Sequence, residues 1–317
     1  MALYLREEDV RQILTMDICL EAVEAAHASH ALGLAQDTPR CRTRLPKSAL
    51  HMLQGSLEPE GVMGYKAYTT SREGARFWVH LFEAATGRPL AVLEADTLGM
   101  LRTGAAAGVA TKWLARPDAR IAGVFGSGWQ ARGQVLALAA VRDLERIKVF
   151  GRNREKLAAF CADMAALTGI DVMPAADARE TVTGSDIVTT ITTASTPLFD
   201  GDWLEPGCHV NAAGSNALIR REIDETALRR ANVVCVDSRA VALKEAGDLL
   251  PALEKGRLAE GRLLELGEII KGCRPGRTSA TQITLFESQG MAIQDLAVAS
   301  RVLSLALERG LGQALPY

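Results

Sequence analysis

The stretch Arg120 to Asp143 constrains this chain more than any other. Arg120 to Gly126 is a short apolar run of the kind that forms a buried strand. Gly126-Ser127-Gly128-Trp129-Gln130-Ala131 follows, and Trp129 to Asp143 then carries helical spacing. A G-x-G-x-x-A turn between a strand and a helix is the fingerprint of a dinucleotide-binding βαβ unit. Gly126 permits the tight turn, Gly128 lets the backbone approach a pyrophosphate, and Ala131 lets the helix pack closely on its strand. The helix start then turns free N–H groups and positive potential toward the phosphates.

The rest of the chain divides around this unit. Downstream, apolar strands alternate with helices: Arg146–Gly151, then a helix from Asn153 to Gly169, then strands near Asp171, Asp186, His209 and Val233. That rhythm predicts a doubly wound parallel sheet of Rossmann type, covered on both faces. Upstream the pattern differs. Leu5 to Leu34 reads as two helices. Pro39 to Ser56, Val62 to Ser71 and Ala75 to Ala95 read as extended strands, with a hairpin loop at Ala85–Pro89. An Ala-rich helix from Asp96 ends before Pro117. The last helix, Met291 to Gly310, is apolar on one side and is expected to pack back on the first domain. The expected fold is α/β, with a smaller α+β substrate and dimerisation domain at 1–112 with 291–317, and a dinucleotide-binding domain at 113–290.

The end of the second parallel strand bears on cofactor choice. An NAD site places Asp or Glu there to hold the ribose 2′-hydroxyl. Here the run is Val149-Phe150-Gly151-Arg152-Asn153-Arg154, with no acid. Arg152, Asn153 and Arg154 suit a 2′-phosphate, so NADP(H) is expected over NAD(H), which stays possible. The competing reading is that they only start a helix in solvent.

A net charge of −2 argues against a nucleic-acid surface. The apolar runs are too short to cross a bilayer, and the first residues lack the pattern of a secretory signal, so a cytoplasmic address is expected. Six scattered cysteines form no C-x-x-C pair, and His27 and His30, three apart, read as a surface or core pair rather than a metal site.

Further motifs resemble the ornithine cyclodeaminase/mu-crystallin family over nearly the whole chain. They are Arg42-Thr43-Arg44-Leu45-Pro46, the Lys66 strand Gly64-Tyr65-Lys66-Ala67-Tyr68-Thr69, Leu101-Arg102-Thr103-Gly104-Ala105-Ala106, the glycine turn, the strand end His209–Ser215, and Glu287-Ser288-Gln289-Gly290-Met291-Ala292-Ile293-Gln294-Asp295. The resemblance implies a Rossmann domain with an N-terminal domain that forms a homodimer and supplies substrate ligands. It implies Lys66 beside the substrate, Arg42 on the substrate carboxylate (with Arg40 and Arg44 as competitors), and Arg102 between substrate and cofactor. Trp129 and Gln130 fall at the phosphate loop, Thr193 near the nicotinamide side, Ala213 and Gly214 among the cofactor-binding residues, and Arg220 where the family carries a lysine near the cofactor. Ser288 and Gln289 match a pair at the cofactor–substrate junction. Met52, Tyr65 and Trp78 or their neighbours are expected in the pocket wall from strand position. Asp295 either orients a catalytic group or pairs on the surface.

One departure is informative. Cyclodeaminases resemble one another in an acid/base aspartate where this chain has Asn216. An amide cannot take up and return a proton near neutral pH. The leading expectation is therefore an NAD(P)H-dependent reductase of a cyclic imino acid such as pyrroline-2-carboxylate. In that reading Arg42 and Arg102 clamp the carboxylate, and Lys66 donates a proton if neighbouring arginines depress its pKa. The alternatives are an ornithine cyclodeaminase with bound NAD+, an alanine-type amino-acid dehydrogenase, and a binding protein that holds NADPH and a ligand without turnover.

Overall fold

The computed structural model describes residues 2–316, which divide into two compact units, 2–102 with 291–316, and 103–290. The 112/113 division expected from sequence and the observed 102/103 division fall inside one helix.

Unit 1 begins with β1 (Ala2–Leu5), α1 (Glu7–Ile13) and α2 (Met16–Ala31). Thr15 caps α2 by accepting from the Ile18 N–H, satisfying one of the free donors of its first turn. Then come β2 (Ala35–Leu45), β3 (Ser48–Leu57), β4 (Val62–Ser71), β5 (Gly74–Glu83) and β6 (Pro89–Glu94). Helix α3 (Asp96–Leu114) starts in unit 1 and ends in unit 2.

Unit 2 continues with β7 (Ile121–Phe125), α4 (Trp129–Val141), β8 (Arg146–Phe150), α5 (Arg154–Thr168), β9 (Asp171–Pro174), α6 (Ala178–Val182), β10 (Ile187–Thr190) and β11 (His209–Ala212). It is completed by α7 (Glu225–Arg230), β12 (Val233–Val236), α8 (Arg239–Glu245), α9 (Leu250–Glu254), β13 (Leu263–Glu265), α10 (Leu266–Ile270) and β14 (Thr284–Glu287). The chain then returns to unit 1 as α11 (Ala292–Arg309) and β15 (Gln313–Leu315).

The unit 1 sheet has seven strands in the order β15-β1-β6-β5-β4-β3-β2, mostly antiparallel. Its inner face carries Leu53, Leu57, Val79, Leu81 and Leu93, all buried. Helix α11 covers this face. Gly64 leaves room for it, since a Cβ there would lie 3.1 Å from a Leu296 methyl carbon and 2.1 Å from the His80 carbonyl oxygen. In β2 the register slips between Thr38 and Cys41, a bulge that includes Pro39. The inserted residue switches the inward-facing parity from Ala35 and Asp37 to Arg40, Arg42 and Arg44.

Unit 2 holds an eight-stranded sheet, ordered β13-β12-β14-β11-β10-β7-β8-β9 and parallel throughout. Strands β7, β10, β11, β12 and β14 are almost wholly buried, which explains their continuous apolar runs. Sequence reading stopped at β12. It missed β13 and β14, and β14 sits between β11 and β12. Four cysteines are buried, while Cys41 and Cys273 are exposed, and all six are free thiols. Among the described residues, no helix is long and apolar enough to cross a membrane.

Candidate functional site

In unit 2 the strand register draws one line across the sheet through Phe150, Phe125, Thr190, Ala212, Glu287 and Val236. The loops just past that line carry most of the residues singled out from sequence. This carboxyl edge is where open α/β sheets bind ligands. Gly126 has φ +116°, and a Cβ there would lie 2.6 Å from the Ile191 carbonyl oxygen, so only glycine fits. Gly128 is the N-cap of α4, makes no side-chain cap, and has open space where a Cβ would project. The first N–H groups of α4 are therefore uncapped by any side chain at Gly128, and the backbone can be approached there. Trp129 is largely exposed. Gln130 has a buried Oε1 with no hydrogen-bond partner. This arrangement fits a dinucleotide pyrophosphate.

At the end of β8, Asn153 caps α5, its Oδ1 accepting from the Lys156 N–H at 2.9 Å. Its oxygen thus serves the helix start, and its place as a phosphate ligand rests on the amide nitrogen alone. Arg152 and Arg154 are exposed and make no hydrogen bond or ion pair among the described residues.

Beyond β10 and β11 a buried carboxylate organises the loops. Glu222 accepts from Thr190 Oγ1, Thr192 N, Thr192 Oγ1 and Gly214 N, at 2.6–2.8 Å. Burial raises its pKa against the pull of these donors. The Arg220 guanidinium donates to the Thr193 carbonyl, joining two residues proposed from sequence. The Ala213 N–H donates to the Thr190 carbonyl at 2.9 Å. Asn216 lies exposed in the same loop, its N–H bonded to the Gly214 carbonyl.

Ser288 and Gln289 turn toward acids. Asp237 accepts from Ser288 Oγ, Gln289 N and Gly290 N, and Gln289 Nε2 donates to Glu287 Oε1 at 2.8 Å. Glu287 is fully buried and accepts no backbone N–H among the described residues. Burial first, then the charges of Asp248, Glu222 and Asp237, push its pKa well above the carboxylate range.

Unit 1 holds a different arrangement. Lys66, on the inner face of β4, is buried, and its Nζ donates to Asp295 Oδ1 at 2.8 Å. The same oxygen accepts from Arg102 Nε at 2.9 Å. Asp295 Oδ2 is buried with no hydrogen-bond partner. Lys66 Nζ also lies 5.3 Å from the centre of the Phe77 ring. Burial pushes the Lys66 pKa down to about 8, helped by the positive charges of Arg102 and Arg40 and opposed by Asp295. Arg102 Nη1 donates to Gln294 Oε1 at 2.9 Å.

Arg42 faces the same side of the sheet as Lys66. Its row runs Arg42, His51, Tyr68, Phe77 across β2 to β5. His51 is stacked on Tyr68 at 4.3 Å, and burial together with Arg42, Arg40 and Arg44 pushes its pKa down to about 4. Of the three arginines, Arg40 contributes to the lowering of the Lys66 pKa. Asp295 and Arg40 were weighed from sequence only as alternatives, and Gln294 was given no role, although the Gln294-Asp295 pair stands in the family motif.

One placement is corrected. Met52 pairs with Ala67, which pairs in turn with Trp78, whereas Lys66 pairs with Leu53 and Val79. Neighbours along a strand point to opposite faces, so Met52, Tyr65 and Trp78 project away from Lys66 and do not line its surroundings. They belong instead to an outer face with exposed Leu45, Leu50 and Met63.

Comparison with known proteins agrees with the motifs. The model of the ornithine cyclodeaminase/mu-crystallin family matches residues 2–310. The chain is 40% identical over 240 residues to a Delta(1)-pyrroline-2-carboxylate reductase of Bacillus cereus, covering 75% of this chain and 74% of that protein. It is similar to the structure of Thermococcus litoralis Delta(1)-pyrroline-2-carboxylate reductase in complex with NADH and L-proline, with 33% identity, a TM-score of 0.94, and coverage of 99% of this chain and 100% of that one. It is equally similar in fold to an archaeal alanine dehydrogenase dimer with bound NAD, with 31% identity, a TM-score of 0.94, and coverage of 100% and 99%.

Proposed function

This chain belongs to the ornithine cyclodeaminase/mu-crystallin family, and on that premise we propose that it is a nicotinamide-dependent oxidoreductase that reduces the C=N bond of an imino acid, a cyclic ketimine such as pyrroline-2-carboxylate being the substrate its residues suit best. The observation that carries this reading is the buried group of Lys66, Asp295 and Arg102, where one carboxylate oxygen holds an ammonium and a guanidinium together. Relatives that reduce pyrroline-2-carboxylate, one of them in complex with NADH and L-proline, support it.

A reduced nicotinamide, when bound, supplies the hydride. The glycine turn after β7 and the start of α4 would hold its pyrophosphate, and Thr193, Ala213, Gly214, Arg220 and Ser288 would contact the cofactor from the neighbouring loops. Arg152 and Arg154 would hold a 2′-phosphate, which would favour NADPH over NADH. In unit 1, Arg102 Nη2 and the inward arginines of β2, Arg42 or Arg40, bind the carboxylate beside the C=N bond. Lys66, with its pKa lowered to about 8, keeps a proton at neutral pH and can release it to the imine nitrogen as the C=N carbon becomes C–H. The product is the amino acid, and Lys66 regains its proton from solvent.

Asn216 opposes the cyclodeaminase alternative, because the loop offers an amide where that cycle needs a titrating carboxylate. The apolar outer face of the unit 1 sheet, with Leu45, Leu50, Met52 and Met63, suits contact with a second copy, and an alanine dehydrogenase of the same fold is a dimer.

The test mixes the protein with pyrroline-2-carboxylate and NADPH and follows reduced-nicotinamide absorbance, with NADH and with ornithine plus NAD+ in parallel. Rapid, NADPH-favouring oxidation with proline formed is the expected result. Proline and ammonia from ornithine without net cofactor change would replace this reading with the cyclodeaminase one.

A further inference from the structure

Two more polar side chains of unit 1, His27 on α2 and Gln294 on α11, are fully buried and continue the charged cluster away from Lys66. A guanidinium has donors only, so the Gln294 atom 2.9 Å from Arg102 Nη1 is the carbonyl oxygen Oε1. That oxygen also accepts from the Met291 N–H at 3.3 Å, at the start of α11. With both acceptor directions engaged, the amide orientation is fixed. Its Nε2 must donate, and the partner 3.1 Å away is His27 Nε2. His27 must therefore accept through Nε2 and carry its proton on Nδ1, which has no hydrogen-bond partner. Burial, with His30 nearby, pushes its pKa down to about 3, so the ring stays neutral at every working pH.

We infer that His27 is a positioning residue: through Gln294 it fixes the plane of the Arg102 guanidinium, so that Nη2, which makes no hydrogen bond among the described residues, is presented for the substrate carboxylate. The substrate end of this inference rests on the function proposed above. The bond from Arg102 Nε to Asp295 alone is one point, about which the guanidinium can pivot. The bond at Nη1 supplies the second point and sets the plane, and so the direction in which Nη2 points its donors. If His27 carried its proton on Nε2, two donors would face each other. The amide would turn over, and Arg102 would meet an NH2 group instead of an oxygen.

The first measurement needs no variant. Nitrogen-15 NMR of the full-length protein, labelled at histidine, is expected to show His27 protonated on Nδ1 and bare on Nε2 throughout about pH 6 to 9. A proton on Nε2 overturns the inference. Gln294→Glu then tests the linkage. A carboxylate accepts at both ends, so Arg102 keeps its partner while His27 must invert to the Nε2–H tautomer. An uninverted ring also overturns the inference.

Kinetics supply the functional arm. Gln294→Leu is expected to raise KM for the imino acid about tenfold to a hundredfold, with kcat changing less, because a hydrogen bond to a charged group is lost. His27→Leu is expected to raise it about tenfold, and the double variant to be no worse than Gln294→Leu, since the two act in series. Gln294→Glu should restore KM to within about threefold of the parent. Lower thermal stability with KM unchanged in both leucine variants would assign His27 to packing alone and overturn the inference. If the parent protein reduces no imino acid, the proposed function fails, whereas the tautomer and its inversion still decide whether His27 is coupled to Arg102.

Discussion

Each unit buries charge, and the two do it in opposite ways. In unit 1 the buried charges are mostly cations. Lys66 and Arg102, from β4 and α3, converge on a single oxygen of Asp295 from α11, and every bond is between side chains. In unit 2 the buried charges are carboxylates. Glu222, Asp237 and Asp248 accept chiefly from backbone N–H groups of the loops beyond the sheet. A carboxylate bonded to backbone braces the chain itself, because moving the loop would strip several donors at once. A side-chain cluster braces only side chains, and leaves a proton with a lowered pKa on Lys66. Under the proposed function the difference separates two roles, with titrating chemistry in unit 1 and a fixed frame for a nucleotide in unit 2.

The largest expected effect breaks the unit 1 side of this contrast. Lys66→Met should lower kcat by about a hundredfold to ten-thousandfold, the usual range for a lost general acid, while NADPH affinity measured by fluorescence titration stays within about twofold. A matching pH profile is expected in the parent. The folded pKa of Lys66 is depressed to about 8, so its proton is lost, and kcat/KM falls, as pH rises through about 8. Stability runs the other way. Between about 8 and the ordinary lysine value of 10.5 the unfolded chain binds the extra proton, so this group's contribution to stability rises with pH over that window. A rate that stays flat above pH 8 would remove Lys66 from the proton transfer.

Two substitutions sharpen the unit 2 side. Glu222→Ala strands four donors and should cost about 3 kcal/mol in denaturant unfolding, while weakening NADPH binding through the freed Thr192 and Gly214 loops. Arg152→Gln is smaller and local. It should lower the NADPH over NADH preference in kcat/KM by about tenfold, with stability unchanged. An unaltered ratio would leave Arg152 a solvated helix-start residue.

The smallest effect has the opposite sign. Glu287 has its folded pKa raised, so it costs stability once pH exceeds the ordinary carboxylate value, and that cost grows until the folded group itself ionises. Glu287→Gln keeps the shape without the charge, and should be neutral or raise stability by about 1 kcal/mol at pH 8. A loss as large as that of Glu222→Ala would mean that both carboxylates brace the loops alike.

The sequence by itself determined what is local. The glycine turn, its strand and its helix are contiguous, and the positive φ of Gly126 and the uncapped start of α4 follow from residues within one short segment. The Rossmann rhythm was legible for the same reason, up to β12. Past it, β13 has only three residues, and β14, four residues long like β10 to β12, lies between a loop and the long helix α11 without the strand–helix alternation that marks the others. Only the tertiary structure decided the rest. Lys66 and Asp295 are separated by 229 residues, Arg102 and Gln294 by 192, and His27 and Gln294 by 267. No periodicity brings such pairs together. Met52 was placed on the wrong face because both faces of β3 are apolar, with Leu53 and Leu57 inside and Leu50 and Met52 outside, so alternation does not mark the core side. Register fixes that parity, and register is a property of the paired strands and of the bulge at Pro39, not of any one segment.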